Sequence, residues 1–281
     1  MAGTYRFVVV DVFTDRPLAG NQLAVFTDAR EIPEETLQPL ARELNFSETV
    51  FVYPAAAEGH VRVRIFTPSH ELPFAGHPIL GAAFVLAIPL QLHEIRLETG
   101  AGVIPVSLDR EGARIVFGRM IQPVPRWRPY EREAELLEAL GVERSELPVE
   151  LYDLGSTHVY VALDSEGAVA DLEPDLAALA RLQVGANSFA GSGRRWKTRV
   201  FVPGHGVPED PATGSAAGPL AVHLSRHGRV PFGEEIEISQ GEELGRPSTL
   251  YARVEGSAER VERVEVGGAA VVVARGDFRL P

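Results

Sequence analysis

The chain has 281 residues, 45% of them hydrophobic and 23% charged, with a formal net charge of −12 and no cysteine. That acidic balance argues against a nucleic-acid binder, which needs a basic face to release counterions. It still allows a small anionic ligand, because helix ends and local arginines outweigh a global field. The missing cysteines exclude disulfides, thiolate metal sites and thiol acids or bases.

In chain order, residues 5–13 (YRFVVVDVF) read as a buried strand, followed by a turn at 15–21 and a second strand at 23–26. Residues 33–44 have helical spacing at Leu37, Leu40, Ala41 and Leu44. Strands follow at 49–53 and 61–66. Residues 78–88 are apolar on nearly every face, so a helix there must be enclosed. Residues 95–98, 102–108 and 113–117 look like successive strands. Residues 119–129 hold three prolines without periodicity and read as an interdomain connection. Residues 131–140 form a helix stopped by Gly141. A strand at 157–163, a helix at 175–182 and a strand at 197–202 come next. A second enclosed helix spans 214–226, and strands at 235–239, 249–255, 260–265 and 269–274 end the chain. No apolar window spans a membrane, and the first residues enter a strand without a secretory pattern. A cytoplasmic protein is expected, with no membrane partner.

Two segments read alike. Arg64-Ile-Phe-Thr-Pro-Ser-His70 and Arg199-Val-Phe-Val-Pro-Gly-His205 lie 135 positions apart. Each is followed by acid (Glu71; Glu209 and Asp210) and then by a glycine that opens an apolar helix, Gly76 or Gly214. A repeat of that size suggests two equivalent domains, residues 1–118 and 130–281, with the last strand free to cross back to the first. The class is α+β, two pseudo-symmetric domains that each curve a sheet around one helix. Both helix starts favour negative charge, through unpaired N–H groups and the helix dipole.

Chemistry-bearing residues cluster in three places. In Asn45-Phe-Ser-Glu-Thr-Val-Phe-Val52, Glu48 sits at a helix-to-strand junction beside phenylalanines. It is a candidate general base whose pKa desolvation would raise. The segment alone favours the plainer alternative, a solvated or turn-capping glutamate. The second half offers Gly155–Val161 in the comparable place, without a carboxylate. In Glu71–Pro78, Gly76 permits close backbone approach, and His77 is either a helix cap or a group that donates to a substrate carboxylate or moves a proton. In Glu209–Ala217, Asp210 and Ser215 can bind a polar ligand or simply cap the helix. Phosphate-loop, dinucleotide, zinc-protease and serine-hydrolase spacings are absent from the sequence. His93, His223 and His227 are expected on helix surfaces or loop ends, and Gly191–Arg195 as a flexible basic loop.

Four ordered stretches resemble the phenazine-biosynthesis isomerase family, which shares its fold with diaminopimelate epimerase: Asp11–Thr14 with Ala19–Asn21, Asn45–Val52, Glu71–Pro78 and Glu209–Ala216. The resemblance implies an active site between two domains, a homodimer, and no metal or organic cofactor. It implies that Glu48 carries a proton between two carbons of a dihydro-hydroxyanthranilate-like carboxylic acid. His77 and Asp210 act beside it as catalytic residues. Asn21, Ser47 and Ser215 bind substrate, while Gly76 and Gly214 receive its carboxylate. The related epimerases use two cysteines at the paired helix starts. Here those turns read Ala75-Gly76-His77 and Thr213-Gly214-Ser215, so a two-thiol racemase is excluded. The expected function is therefore a cofactor-independent isomerase. The alternatives are a single-base epimerase of the same fold, or a small-molecule- or protein-binding member without turnover.

Overall fold

A computed structural model describes residues 3–280. In chain order the elements are β1 (Gly3–Val12), β2 (Asn21–Phe26), α1 (Glu34–Leu44), β3 (Glu48–Pro54), β4 (Val61–Phe66), β5 (Glu71–Leu72), α2 (Gly76–Leu90), β6 (Glu94–Thr99), β7 (Gly102–Glu111) and β8 (Arg114–Gln122). There follow β9 (Arg126–Pro129), α3 (Glu133–Leu140), β10 (Glu150–Asp153), β11 (Thr157–Ala162), α4 (Glu166–Ala170), α5 (Leu176–Leu182), β12 (Gly185–Ser192), β13 (Arg195–Val202), β14 (Val207–Asp210) and α6 (Gly214–Arg226). The chain ends with β15 (Glu235–Gln240), β16 (Ser248–Gly256), β17 (Val261–Gly268) and β18 (Ala270–Leu280).

Two compact units form. One holds the described residues up to Ile121 together with those from Gly267 onward; the other is Gln122–Val266. The second unit therefore does not run to residue 281. β18 pairs antiparallel along the whole of β1, inside the first unit. The expected connection at 119–129 is also different: β8 and β9 are strands within it. Its prolines fall between and at the ends of these strands, where no ladder N–H is needed.

The two units repeat one pairing pattern. In the first, β1/β2 is antiparallel, β2/β3 parallel, β3/β4 and β4/β5 antiparallel, β4/β6 parallel and β6/β7 antiparallel. In the second, β10/β11, β11/β12, β12/β13, β13/β14, β13/β15 and β15/β16 follow the same sequence of senses. The repeated arginines do the same work in each. Arg64 grips Glu71 on β5 through Nε and Nη2, both at 2.7 Å, and Arg199 grips Glu209 on β14 at 2.8 and 2.9 Å. Each guanidinium also lies over the phenylalanine two residues later, Phe66 or Phe201, at 5.2 and 5.0 Å. The acids in the two repeated loops are thus structural at Glu71 and Glu209.

α2 is buried from Gly76 to Phe84, and α6 from Gly214 to Ser225. In α2 the missing side chain of Gly81 is steric. A Cβ there would lie 2.6 Å from Leu23 and 2.7 Å from Val12, so only glycine lets the helix settle against β1 and β2. The enclosure expected from the apolar runs is what the structure forms.

Arg199 also donates from Nη1 to the carbonyls of Ala170 and Leu172, at 2.9 and 2.8 Å, and both partners of its ion pair are nearly buried. Arg199→Met should cost about 3–5 kcal/mol, because it strands a buried carboxylate. The same change at the more exposed Arg64 should cost about 1 kcal/mol. Urea unfolding of the two variants measures the difference.

Candidate active site

Helix starts distinguish the two buried helices from the other four α-helices among the described residues. α1 and α3 carry two glutamates each in their first turns, and α4 and α5 are capped by Ser165 and Asp175. α2 and α6 have neither a first-turn acid nor a side-chain cap. Their first N–H groups and positive dipole ends are therefore not neutralised by their own residues, which suits an anionic ligand group.

In the first unit, α1 ends on Asn45 in the left-handed conformation, φ 53°. The chain turns there, and Glu48 becomes the first residue of β3, opposite Leu23 on the parallel strand β2. β2 itself starts at Asn21, which is buried. His77 is the second residue of α2. Its Nε2 lies 3.4 Å from Glu48 Oε2, and its Nδ1 lies 3.2 Å from Asn21 Nδ2. Asn21, Glu48 and His77 thus lie together. Ser47 is half-buried beside Glu48, and Gly76 is the first residue of the helix. His77 does not cap its own helix. Burial pushes its imidazole down to about 3, and hydrogen bonding to the Gln22 backbone opposes this only in part. At neutral pH the ring is uncharged, so it stands beside Glu48 as a neutral polar group and not as an ion-pair partner.

In the second unit, Thr213 Oγ1 donates to Asp210 Oδ2 at 2.7 Å across the turn into α6. Gln240, buried on β15, holds this turn from below. Its Nε2 donates to the Asp210 carbonyl (2.7 Å) and to Thr213 Oγ1 (3.0 Å), while its Oε1 accepts from the Thr213 N–H (3.1 Å). Gln122 Nε2 donates to the Gly214 carbonyl at 2.8 Å. Ser215, the second residue of α6, has its Oγ 3.0 Å from Nε2 of a buried histidine, His158, on β11. Gln122, His158 and Gln240 escape sequence reading, since each is a single polar letter inside a strand.

The structure also moves the counterpart of Glu48. α5 ends on Gln183, left-handed at φ 55°, as α1 ends on Asn45. The registers fix it: Thr49 lies opposite Phe66 and Ala186 opposite Phe201, so Gly185, opposite His158 on the parallel strand β11, stands in the place Glu48 takes opposite Leu23. Gly155–Val161 instead matches the start of β2. The second unit still carries no carboxylate at the equivalent position, but the residue there is Gly185. His223 is corrected too, while His227 closes the end of α6 as its C-cap. His223 is fully buried, and both rings reach Glu150 Oε2, at 3.3 and 3.0 Å. Glu150, His223 and His227 bring metal-ligating atoms within 4.8 Å of one another. Yet Arg226 Nη1 and Tyr152 Oη lie 2.7 and 2.9 Å from the same carboxylate oxygen, so a cation of the chain already occupies this cluster. Gly191–Arg195 is the tight end of the β12/β13 hairpin, where Ser192 pairs with Arg195.

Comparison with known proteins identifies the family. A family profile described as phenazine biosynthesis-like protein matches residues 10–276. The trans-2,3-dihydro-3-hydroxyanthranilate isomerase of Pseudomonas aeruginosa is 49% identical over 273 residues, covering 97% of this chain and 98% of that protein. The enzyme of the same name from Pseudomonas fluorescens is 48% identical over 277 residues, covering 98% and 100%. Among solved structures, a Bacillus anthracis phenazine biosynthesis protein of the PhzF family superposes with a TM-score of 0.85 at 23% identity, over 98% of this chain and 99% of that one. A hydroxyproline epimerase from Agrobacterium vitis, at 14% identity and a TM-score of 0.64 over 99% and 91% of the two chains, shares the fold.

The neutral state of His77 has a measurable consequence. Its pKa is depressed in the folded protein and ordinary, about 6.5, in the unfolded chain. The unfolded state therefore binds more protons between those values. Stability should be full above about pH 6.5 and fall as the pH drops toward 3, by about 2 kcal/mol at pH 5 from this residue. His77→Asn should flatten that part of the urea-midpoint-against-pH curve. A proton-shift titration showing His77 charging near pH 6.5 in the folded protein would contradict the assignment.

Proposed function

Because this chain belongs to the phenazine biosynthesis-like family and is an isomerase, we propose that it moves a proton between two carbons of a small cyclic carboxylic acid, with Glu48 as the carrier. The observation that carries this reading is the junction of Glu48 with neutral His77 at an uncapped, enclosed helix start. The substrate class is that of trans-2,3-dihydro-3-hydroxyanthranilate, on which the relatives at 48–49% identity are named to act.

The step closes on side chains alone. The Glu48 carboxylate takes an acidic C–H proton, and the electron pair left on carbon delocalises into the adjacent unsaturated system. The same carboxyl then delivers its proton to another carbon. Neutral His77, 3.4 Å from Oε2, leaves the carboxylate its basicity, which a cationic ring would lower. Each uncapped helix start is a candidate seat for the substrate carboxylate: the N–H groups near Gly76, with Asn21 and Ser47 as polar partners, in the first unit, and those near Gly214, with Ser215, in the second. Asp210, fixed by Thr213, is the acid–base candidate of the second unit. The absence of cysteine from both helix starts supports one shuttling carboxyl over a two-thiol mechanism. A cytoplasmic homodimer completes the proposal; no described helix is long and apolar enough to cross a membrane.

Glu48→Gln should lower turnover of trans-2,3-dihydro-3-hydroxyanthranilate by at least 10²–10⁴-fold, the usual weight of a general acid–base group. Incorporation of solvent deuterium into the product measures it. Full exchange by the variant would remove Glu48 from the mechanism.

A further inference from the structure

His158 has a ring whose hydrogen-bond roles are fixed by its surroundings. Asn187, fully buried on β12, points its Nδ2 at the carbonyls of Gly185 (2.9 Å) and Val159 (3.3 Å). Turning that amide over would set its oxygen against two carbonyl oxygens, so the NH₂ group stays where it is. The same Nδ2 faces His158 Nδ1 at 3.5 Å. Nδ1 therefore carries the lone pair, and the ring hydrogen sits on Nε2. Burial pushes the ring pKa down to about 3, so no second proton blurs this tautomer at working pH. The seat is built into the strand: a Cβ on Gly185 would stand 2.6 Å from Nδ1 and evict the ring.

Nε2 lies 3.0 Å from Ser215 Oγ and 3.3 Å from Ser156 Oγ. We infer that His158 is the positioning residue of the second helix start, donating its Nε2–H to Ser215 Oγ so that the serine hydroxyl presents its own hydrogen to the ligand's carboxylate. Ser215 is then a hydrogen-bond donor and not a nucleophile, because the neighbouring imidazole has no free lone pair on Nε2 to take its proton. The pair repeats, with histidine and partner exchanged, the Asn21–His77 contact at the other buried helix start. There the ring sits on the helix; here it sits on the strand.

The inference deepens the proposed function and rests on it for the identity of the ligand. Its test therefore uses two readouts. Nitrogen NMR of the ¹⁵N-histidine-labelled protein should show His158 with a protonated Nε2 and a bare Nδ1; the opposite tautomer would overturn the inference whatever the substrate. Calorimetric binding of 3-hydroxyanthranilate, a stable aromatic analogue, gives the second. His158→Asn should weaken binding roughly tenfold, the size of one lost hydrogen bond. His158→Gln, which keeps an N–H near the place of Nε2, should bind within about threefold of the parent. In a Ser215→Ala background, His158→Asn should cost nothing further, since the two residues act through one hydroxyl. On the dihydro acid the loss should fall on KM and not kcat, as expected for a group that holds ground state and transition state alike. An equal loss in both backgrounds, or no rescue by glutamine, would mark His158 as a merely structural residue and overturn the inference. Failure of the parent protein to isomerise the dihydro acid while the tautomer and the coupling hold would instead defeat the substrate assignment.

Discussion

Burying the start of a helix forces the chemistry around it. A helix N-terminus carries a positive dipole end and several unpartnered N–H groups. Enclosed in a sheet, it loses the water that would otherwise satisfy them. A cation beside it is penalised twice, by the dipole and by desolvation. Both imidazoles near the enclosed starts of α2 and α6 are accordingly held neutral, His77 and His158 alike. Neutral rings can donate or accept, so they orient their neighbours without fixing a charge. The negative charge such a place favours is left to the ligand and, in the first unit, to Glu48.

The repeat shows which parts are scaffold and which are chemistry. The strand senses, the left-handed ends of α1 and α5, and the Arg64–Glu71 and Arg199–Glu209 clamps recur in both units. These features aim the helix starts and are not replaceable by a shift of charge elsewhere. What differs lies at the helix starts: Glu48 against Gly185, His77 against Ser215, Asn21 against the His158 strand. One unit carries a carboxyl there; the equivalent position of the other carries no side chain at all. Two copies of one scaffold have thereby been given unequal chemical tasks.

The elements that sequence made legible were those with strong local signals. The helix Gly214–Arg226 was delimited by glycines at 214 and 228, and the enclosed helix read at 78–88, which the structure extends to Gly76–Leu90, by its lack of a polar face. Glu48, His77 and Asn21 were readable as an ordered set of motifs. β12 was not, because Gly185-Ala-Asn-Ser-Phe-Ala-Gly-Ser is poor in β-branched residues. It is a strand because β11 and β13 flank it and its small side chains fit a site buried along most of its length. That omission also misplaced the counterpart of Glu48, since the second unit's equivalent strand was not in view. The segment 119–129 misled for the opposite reason: its prolines announced a linker, but they occupy strand ends where the missing N–H costs nothing. His223 read as a surface residue because one histidine at helical spacing says nothing about what lies opposite, and its partner Glu150 is 73 positions away.

The two ends of α6 divide the labour of holding and binding. At its C-terminal end, where the dipole is negative, Arg226 reaches Glu150 and Tyr152 at 2.7 Å and stacks 4.4 Å over Trp127, while His223 and His227 close on the same carboxylate. The Arg226 cation there is favoured by the helix dipole and neutralised by one buried acid; burial pushes that carboxyl up, but hydrogen bonds from His223, Arg226, His227 and Tyr152 together hold it far below its usual range. The helix is thus anchored at the end that has nothing to bind. Its other end needs no acid or side-chain cap of its own to stay in place, which leaves the positive dipole end to suit an anionic group. Rigid fixing at one end is what lets the other stay chemically unfinished until substrate arrives.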